Sequence, residues 1–91
     1  MKTEITVRRG LDYIDVYFEV AISGDWAGTI WRFQTTYDRD EKTAYLGEWA
    51  LSLPGQGFED SADEPPHEVL QVYEERQGEV IARLIFERMQ G

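Results

Sequence analysis

Cysteine is absent from this chain of 91 residues, and histidine occurs once, as His67. The absence of cysteine excludes disulfides, thiol nucleophiles and thiolate metal ligands, and it leaves the redox compartment open. A zinc site needs several converging His, Cys or carboxylate ligands, which a single histidine does not supply. His67 has no serine or cysteine partner at a recognisable spacing, so it is interpreted as a solvent-facing residue. The sequence predicts no catalytic residue, cofactor or metal.

Long apolar runs are also missing. The first residues lead directly into an alternating pattern, without the apolar core of a signal peptide. No stretch is apolar over the length that a bilayer requires. We therefore expect a cytoplasmic protein that neither carries a signal peptide nor spans a membrane.

Basic residues are few and scattered. Nine Lys and Arg stand against 18 Asp and Glu, which gives a net charge of -9. An acidic surface repels phosphate backbones and anionic lipid headgroups, so direct binding to nucleic acid or to a membrane is disfavoured. The natural partner of such a surface is a basic protein.

The remaining composition predicts a folded domain. Hydrophobic residues make up 42% of the chain and aromatic residues 13%, which is too much apolar surface for a disordered acidic segment. The length suits one domain over residues 1–91 and is too short for two lobes that close around a substrate.

Four stretches have the alternation of β-strands. It is clearest over residues 13–22, where the even-numbered positions form one apolar face. Further strands are predicted over residues 4–9, 26–37 and 43–53. The connections between them are short, which predicts a four-stranded antiparallel meander over residues 1–53.

A helix is predicted to follow the sheet. Residues 54–66 form an acidic linker with Pro and Gly, and residues 67–90 have helical periodicity. Gly78 lies opposite the apolar stripe and leaves open whether this segment is one helix or two. The fold class is therefore α+β, with a C-terminal helix packed on one face of the sheet. The predicted stripe comprises Val69, Leu70, Tyr73, Gln77, Val80, Ile81 and Leu84.

The face of the sheet opposite the helix, called the open face below, is the first candidate interaction surface. Aromatic side chains among carboxylates suit a protein interface, because the aromatics supply contact area and the acids steer a basic partner. The alternative is that the tyrosines only stiffen a solvated sheet by cross-strand pairing. Lys substitutions at Asp15 and Glu19 are expected to leave the fold intact. The candidate partner-binding residues are Tyr13, Asp15, Tyr17, Glu19 and Trp49 on the strands, with Glu59, Asp60, Asp63 and Glu64 in the linker.

A second candidate surface is an outer helix edge formed by Val72, Phe86 and Met89. Large apolar groups on one exposed side often mark a further contact, for instance a homodimer. The alternative is that the sheet curls far enough to bury Phe86.

In length, acidity, absence of cysteine and strand-then-helix order, the chain resembles the small acidic proteins with which phages and mobile elements inhibit host defence nucleases, the anti-CRISPR class among them. The resemblance implies a non-enzymatic protein-binding inhibitor, a nucleic-acid mimic that occupies the basic surface of a nucleic-acid-binding host protein. It is a resemblance of build and carries no signature motif, so no binding residue is transferred.

A second hypothesis is a small structural or assembly subunit, such as a phage accessory protein, that homodimerises through the open face or the outer helix edge. Its charge would then serve solubility. An enzyme that relies on carboxylates alone ranks last, because no pocket, cofactor loop or second type of catalytic group accompanies them.

Overall fold

A computed structural model describes residues 1–61 and 63–90, which form one antiparallel sheet and one helix. Every strand pairs with the next along the chain, so the sheet order follows the sequence. The α+β fold with a C-terminal helix on an antiparallel sheet is confirmed. The elements are β1 (Lys2–Arg9), β2 (Tyr13–Ala21), β3 (Ile30–Asp38), β4 (Thr43–Ser52), β5 (Glu59–Asp60) and α1 (His67–Met89).

The third strand and the linker differ most from the sequence prediction. The third strand begins at Ile30 and not at Trp26, because Asp25 organises a turn by accepting a hydrogen bond from the Ala27 N–H at 2.9 Å. The short strand β5 was not predicted. It lies inside the acidic linker and pairs with β4, where the Ser61 N–H donates to the Trp49 carbonyl at 3.0 Å.

The core lies between β2 and the helix. The even-numbered apolar residues of β2 from Ile14 to Val20 are fully buried, as their alternation predicts. The Phe18 ring meets the Tyr73 ring of the helix edge-on, with the ring centres 5.5 Å apart. The helix adds three buried apolar side chains, Val69, Val80 and Leu84.

The helix is continuous from His67 to Met89, so Gly78 neither breaks nor ends it. The predicted stripe is wrong at Gln77, which is exposed, and at Ile81, which is 48% exposed. The buried positions instead include Glu87, at 1% exposure. The buried stripe of the helix is therefore rotated toward Glu87. Apolar periodicity does not predict this rotation, because an acid does not contribute to an apolar pattern.

A β-bulge changes which residues of β4 face the helix. Phe33 pairs with Trp49 and Thr35 pairs with Leu46, so two residues of β4 oppose one residue of β3. Gly47 is required there, since a Cβ would lie 2.8 Å from the Gln34 carbonyl oxygen. The bulge shifts the alternation by one residue along β4.

No helix in the two described stretches combines the length and apolar character needed to cross a bilayer.

Candidate partner-binding surface

The open face is organised around Asp15. Its carboxylate accepts hydrogen bonds from the Thr36 hydroxyl at 2.6 Å, the Gln34 side-chain amide at 3.2 Å and the Tyr17 hydroxyl at 3.3 Å. Only 6% of Asp15 is exposed. The prediction that Asp15 contacts a partner is corrected on this point, because the neighbouring strands enclose its carboxylate in a polar network.

Arginine side chains also occupy the open face. The Arg32 guanidinium lies 4.4 Å from the centre of the Tyr17 ring and 3.9 Å from the centre of the Phe58 ring. Phe58 comes from the linker and folds over this face, and such cation–π contacts are worth about 0.5 to 2 kcal/mol. The nearby Tyr17 side chain raises the pKa of Arg8 above its usual range. Because Tyr17 interacts with both Arg32 and Arg8, we infer that it stabilises the fold.

The remaining open-face candidates are partly accessible. Glu19 accepts a hydrogen bond from the Thr6 hydroxyl at 3.1 Å and is half-buried. Tyr13 is also half-buried, and its ring fills the space that a side chain at Gly10 would need. Tyr45, which pairs with Thr36 on this face before the bulge, is 49% exposed. The face therefore offers aromatic area without a continuous row of free acids.

Trp49 does not lie on the open face. The bulge directs it toward the helix, where its ring centre is 5.0 Å from that of Phe33 and 5.5 Å from that of Tyr73. Its predicted placement on the open face is wrong. Simple alternation placed it on the same side as Tyr45, and the inserted residue reverses that relation.

The linker acids, together with Glu48 of β4, form an exposed charged surface, which we call the acidic edge. Glu59 and Asp60 lie on β5 at the edge of the sheet, and Asp63 and Glu64 follow toward the helix. Glu48, at the β4 bulge, lines a shallow hollow together with Asp60 and Arg32. All five acids of the acidic edge are exposed.

Charge is strongly segregated along the chain. Residues 43–75 contain eight of the 18 acids and none of the nine basic residues, so they carry -8 of the net charge of -9. Glu48 is the site residue that reasoning from alternation missed, and this run without Lys or Arg is the signal that identifies it. Over residues 1–61 and 63–90, every ion pair involves Arg9, Arg76 or Arg83, and none involves the acidic edge.

An acidic edge strand also has a purely structural use. Charged side chains on a short edge strand discourage pairing with a strand of another molecule. Glu59 and Asp60 meet this description, and this role is compatible with partner binding.

The outer helix edge is only partly as predicted. The structure leaves Phe86 56% exposed and Met89 77% exposed, so the sheet does not curl over Phe86. Val72 does not belong to this edge, because it packs against the core.

His67 is the first residue of the helix and is exposed. Within the described part of the chain, no group of three or more His, Asp or Glu side chains is arranged to hold a metal ion.

An ion pair between the buried carboxylate of Glu87 and the exposed Arg9 joins the helix to β1. Glu87 accepts hydrogen bonds from Arg9 Nε at 2.9 Å and from Arg83 Nε at 3.0 Å. Burial alone would raise the pKa of Glu87, but the hydrogen bonds and charges of the two arginines outweigh it and hold this pKa below its ordinary value. The carboxylate therefore stays ionised at neutral pH and fixes the C-terminal half of the helix to the sheet.

This ion pair predicts an acid-sensitive contribution to stability. Because the folded-state pKa of Glu87 is lowered, the stabilisation is complete above the unfolded pKa of about 4.3 and is lost as pH falls toward the folded pKa. Glu87→Gln is expected to lower the urea midpoint at neutral pH and to flatten its decline below about pH 5. Glu4→Gln is the control, since Glu4 is exposed on β1 and takes part in none of the ion pairs found over residues 1–61 and 63–90. Parallel pH profiles for the wild type and Glu87→Gln would contradict this role.

Comparison with known protein families, curated proteins and solved structures gives no match for this chain.

Proposed function

We propose that the protein is a non-enzymatic protein-binding module that uses its acidic edge to occupy the basic, nucleic-acid-binding surface of another protein. The observation that carries this proposal is the segregation of charge. Residues 43–75 hold eight acids without a single Lys or Arg. The acids of the edge are exposed, and no intramolecular ion pair of the described residues neutralises them.

Electrostatics favours a basic partner for this surface. Unpaired acids on one side of a small protein generate a field that steers a positively charged partner and accelerates association. The carboxylates follow one another along the edge strand and the linker. They can therefore take the place of nucleic-acid phosphates in contacts with Lys and Arg side chains of the partner. Exposed aromatic area on the adjoining open face, chiefly Tyr45, supplies contact beyond the charges.

Binding of this kind inhibits the partner. A protein that covers the basic surface of a nuclease or another nucleic-acid-binding protein excludes the nucleic acid from it. This is the mode of action implied by the resemblance to phage anti-defence proteins, such as anti-CRISPR inhibitors.

Neutralising the acidic edge tests the proposal. A variant with Glu59→Gln, Asp60→Asn, Asp63→Asn and Glu64→Gln is expected to capture its partner from host lysate on the order of 100-fold more weakly at low salt, because rim charges govern encounter and register. The measurement is an affinity capture at low and high salt, with the bound proteins quantified by mass spectrometry.

The matched control removes the same number of charges elsewhere. It carries Asp12→Asn, Asp25→Asn, Asp40→Asn and Glu41→Gln, all at exposed loop positions outside the acidic edge. The control is expected to retain capture. An equal loss in both variants would show that net charge alone is recognised and would contradict a defined edge.

A further inference from the structure

The helix is apolar on its outer side as well as on its inner side. Toward its C-terminal end, six exposed positions of the helix are apolar or small at spacings of three and four residues, and the exposed charged residues Glu79, Arg83 and Arg88 flank them. A helix with apolar residues on both sides is typical of one that is covered on both sides. These outer positions, called the outer helix face, are Gly78, Ile81, Ala82, Ile85, Phe86 and Met89, and all are exposed.

Gly78 has no structural use within the single chain. A Cβ at this position would have nothing within 4 Å, and glycine is disfavoured in the interior of a helix. One turn further along, Ala82 is also small and exposed. Small residues on one helix face allow a second helix to approach closely and to place its larger side chains against them. Ile85 and Phe86 are such larger side chains on the same face.

The apolar surface continues beside the helix. Ile81 and Ile85 border a groove of about 260 Å³ that lies between the helix and strands β3 and β4. Leu46 of β4 lines the same groove and is 71% exposed. The groove enlarges the area that a neighbouring molecule would cover.

The charges along the helix favour a second copy of this chain as the partner and an antiparallel orientation of the two helices. Glu74 and Glu75 are exposed near the start of the outer helix face, and Arg88 is exposed near its end. Two copies packed antiparallel bring Arg88 of each copy toward Glu74 of the other, whereas parallel packing brings like charges together. An antiparallel arrangement about a two-fold axis is also self-complementary, as a homodimer interface must be.

We propose that two copies of this chain pair through the outer helix face, with their helices antiparallel and crossing near Ala82. This proposal is independent of the acidic edge and does not rest on the proposed function.

Sedimentation equilibrium of the full chain tests the interface. The wild type is expected to show the mass of a dimer, and Ile85→Asp with Phe86→Asp is expected to raise the dissociation constant about 100-fold or more. Leu53→Asp is the control, since Leu53 is 45% exposed at the other end of the sheet. It is expected to leave the mass unchanged. A monomeric wild type, or a dimer that survives the double substitution, would overturn the proposal.

Gly78→Leu separates close helix packing from unspecific apolar association. The added side chain has free space in the single chain, so the fold and its circular dichroism spectrum are expected to be retained. It enlarges the apolar surface but obstructs the approach of a second helix. The dimer is therefore expected to weaken at least about tenfold. A strengthened dimer would contradict a helix crossing at this face.

The absence of cysteine allows the direction to be tested by single-cysteine variants. Ala82→Cys is expected to form a covalent dimer on oxidation, because the two copies of this residue meet near the axis. Gln71 lies on the same side of the helix, eleven residues earlier, or about 16 Å along it. Gln71→Cys is expected to stay monomeric on denaturing gels. Efficient cross-linking at both positions would indicate parallel helices and overturn the arrangement.

Discussion

Replacing Phe18 with alanine is expected to lower the free energy of unfolding by about 3 to 5 kcal/mol. Phe18 is fully buried at the centre of β2, and its ring packs against Tyr73 of the helix. Removing the ring leaves a cavity at the contact between the two layers, so the loss includes both transfer and cavity terms. Chemical denaturation followed by circular dichroism measures it.

Tyr45→Ala is the matched control for the Phe18 substitution. Tyr45 is also an aromatic residue of the sheet, but it is 49% exposed on the open face. Its replacement is expected to change the free energy of unfolding by less than about 1 kcal/mol. A loss below about 1 kcal/mol for Phe18→Ala would show that β2 presents its other face to the helix.

Asp15→Lys is expected to be the second most damaging substitution, with a loss of about 3 kcal/mol or more. The carboxylate of Asp15 is enclosed on the open face and accepts hydrogen bonds from Thr36, Gln34 and Tyr17. A lysine there removes the acceptor of three hydrogen bonds and places a cation among the donors that surrounded the carboxylate. The loss is measured by chemical denaturation of the two proteins at neutral pH.

Glu19→Lys serves as the comparison on the same strand and face. Glu19 is less enclosed and accepts one hydrogen bond, from Thr6. Its loss is expected to stay below about 1 kcal/mol. Equally small losses in the free energy of unfolding for both variants would contradict the enclosure of Asp15. They would support the prediction from the sequence that both acids are solvated.

The parts of the fold that were predictable depend on strong local patterns. Strand β2 was recognisable because one of its faces is buried completely, so each apolar residue from Ile14 to Val20 repeats the same signal. The helix was placed almost to the residue, since two prolines precede it and apolar positions recur through it.

The parts that were missed depend on contacts between distant residues. The burial of Asp15 follows from partners on β3, and that of Glu87 from Arg9 at the other end of the chain. Neither partner is visible from the periodicity of a single segment. The bulge at Gly47 reversed the assignment of Trp49, because one inserted residue moves every later side chain of the strand to the other face.

The candidate site was predicted in part. The sequence predicts the four linker acids, which lie exposed along the acidic edge. Two of the five strand candidates differ from the prediction, because Asp15 is enclosed in the open-face network and Trp49 lies on the helix side. Exposed linker acids need no tertiary contact to remain accessible. The accessibility of a strand side chain depends on the residues that pack beside it. The strand candidates therefore differ more from the prediction than the linker acids do.

The two proposals combine in a simple way. A dimer through the outer helix face carries two copies of the acidic edge. Two linked edges engage a partner with two basic surfaces more tightly than one edge does, because the second contact is intramolecular.

Competition between this protein and nucleic acid for the captured partner shows whether the acidic edge occupies the nucleic-acid-binding surface. The partner is first bound to a labelled oligonucleotide, and its release is followed by fluorescence anisotropy as the protein is added. The wild type is expected to displace the oligonucleotide, and the variant with the four neutralised linker acids is expected to leave it bound. A ternary complex, in which partner, oligonucleotide and protein remain bound together, would contradict the claim that the acidic edge occupies the nucleic-acid-binding surface.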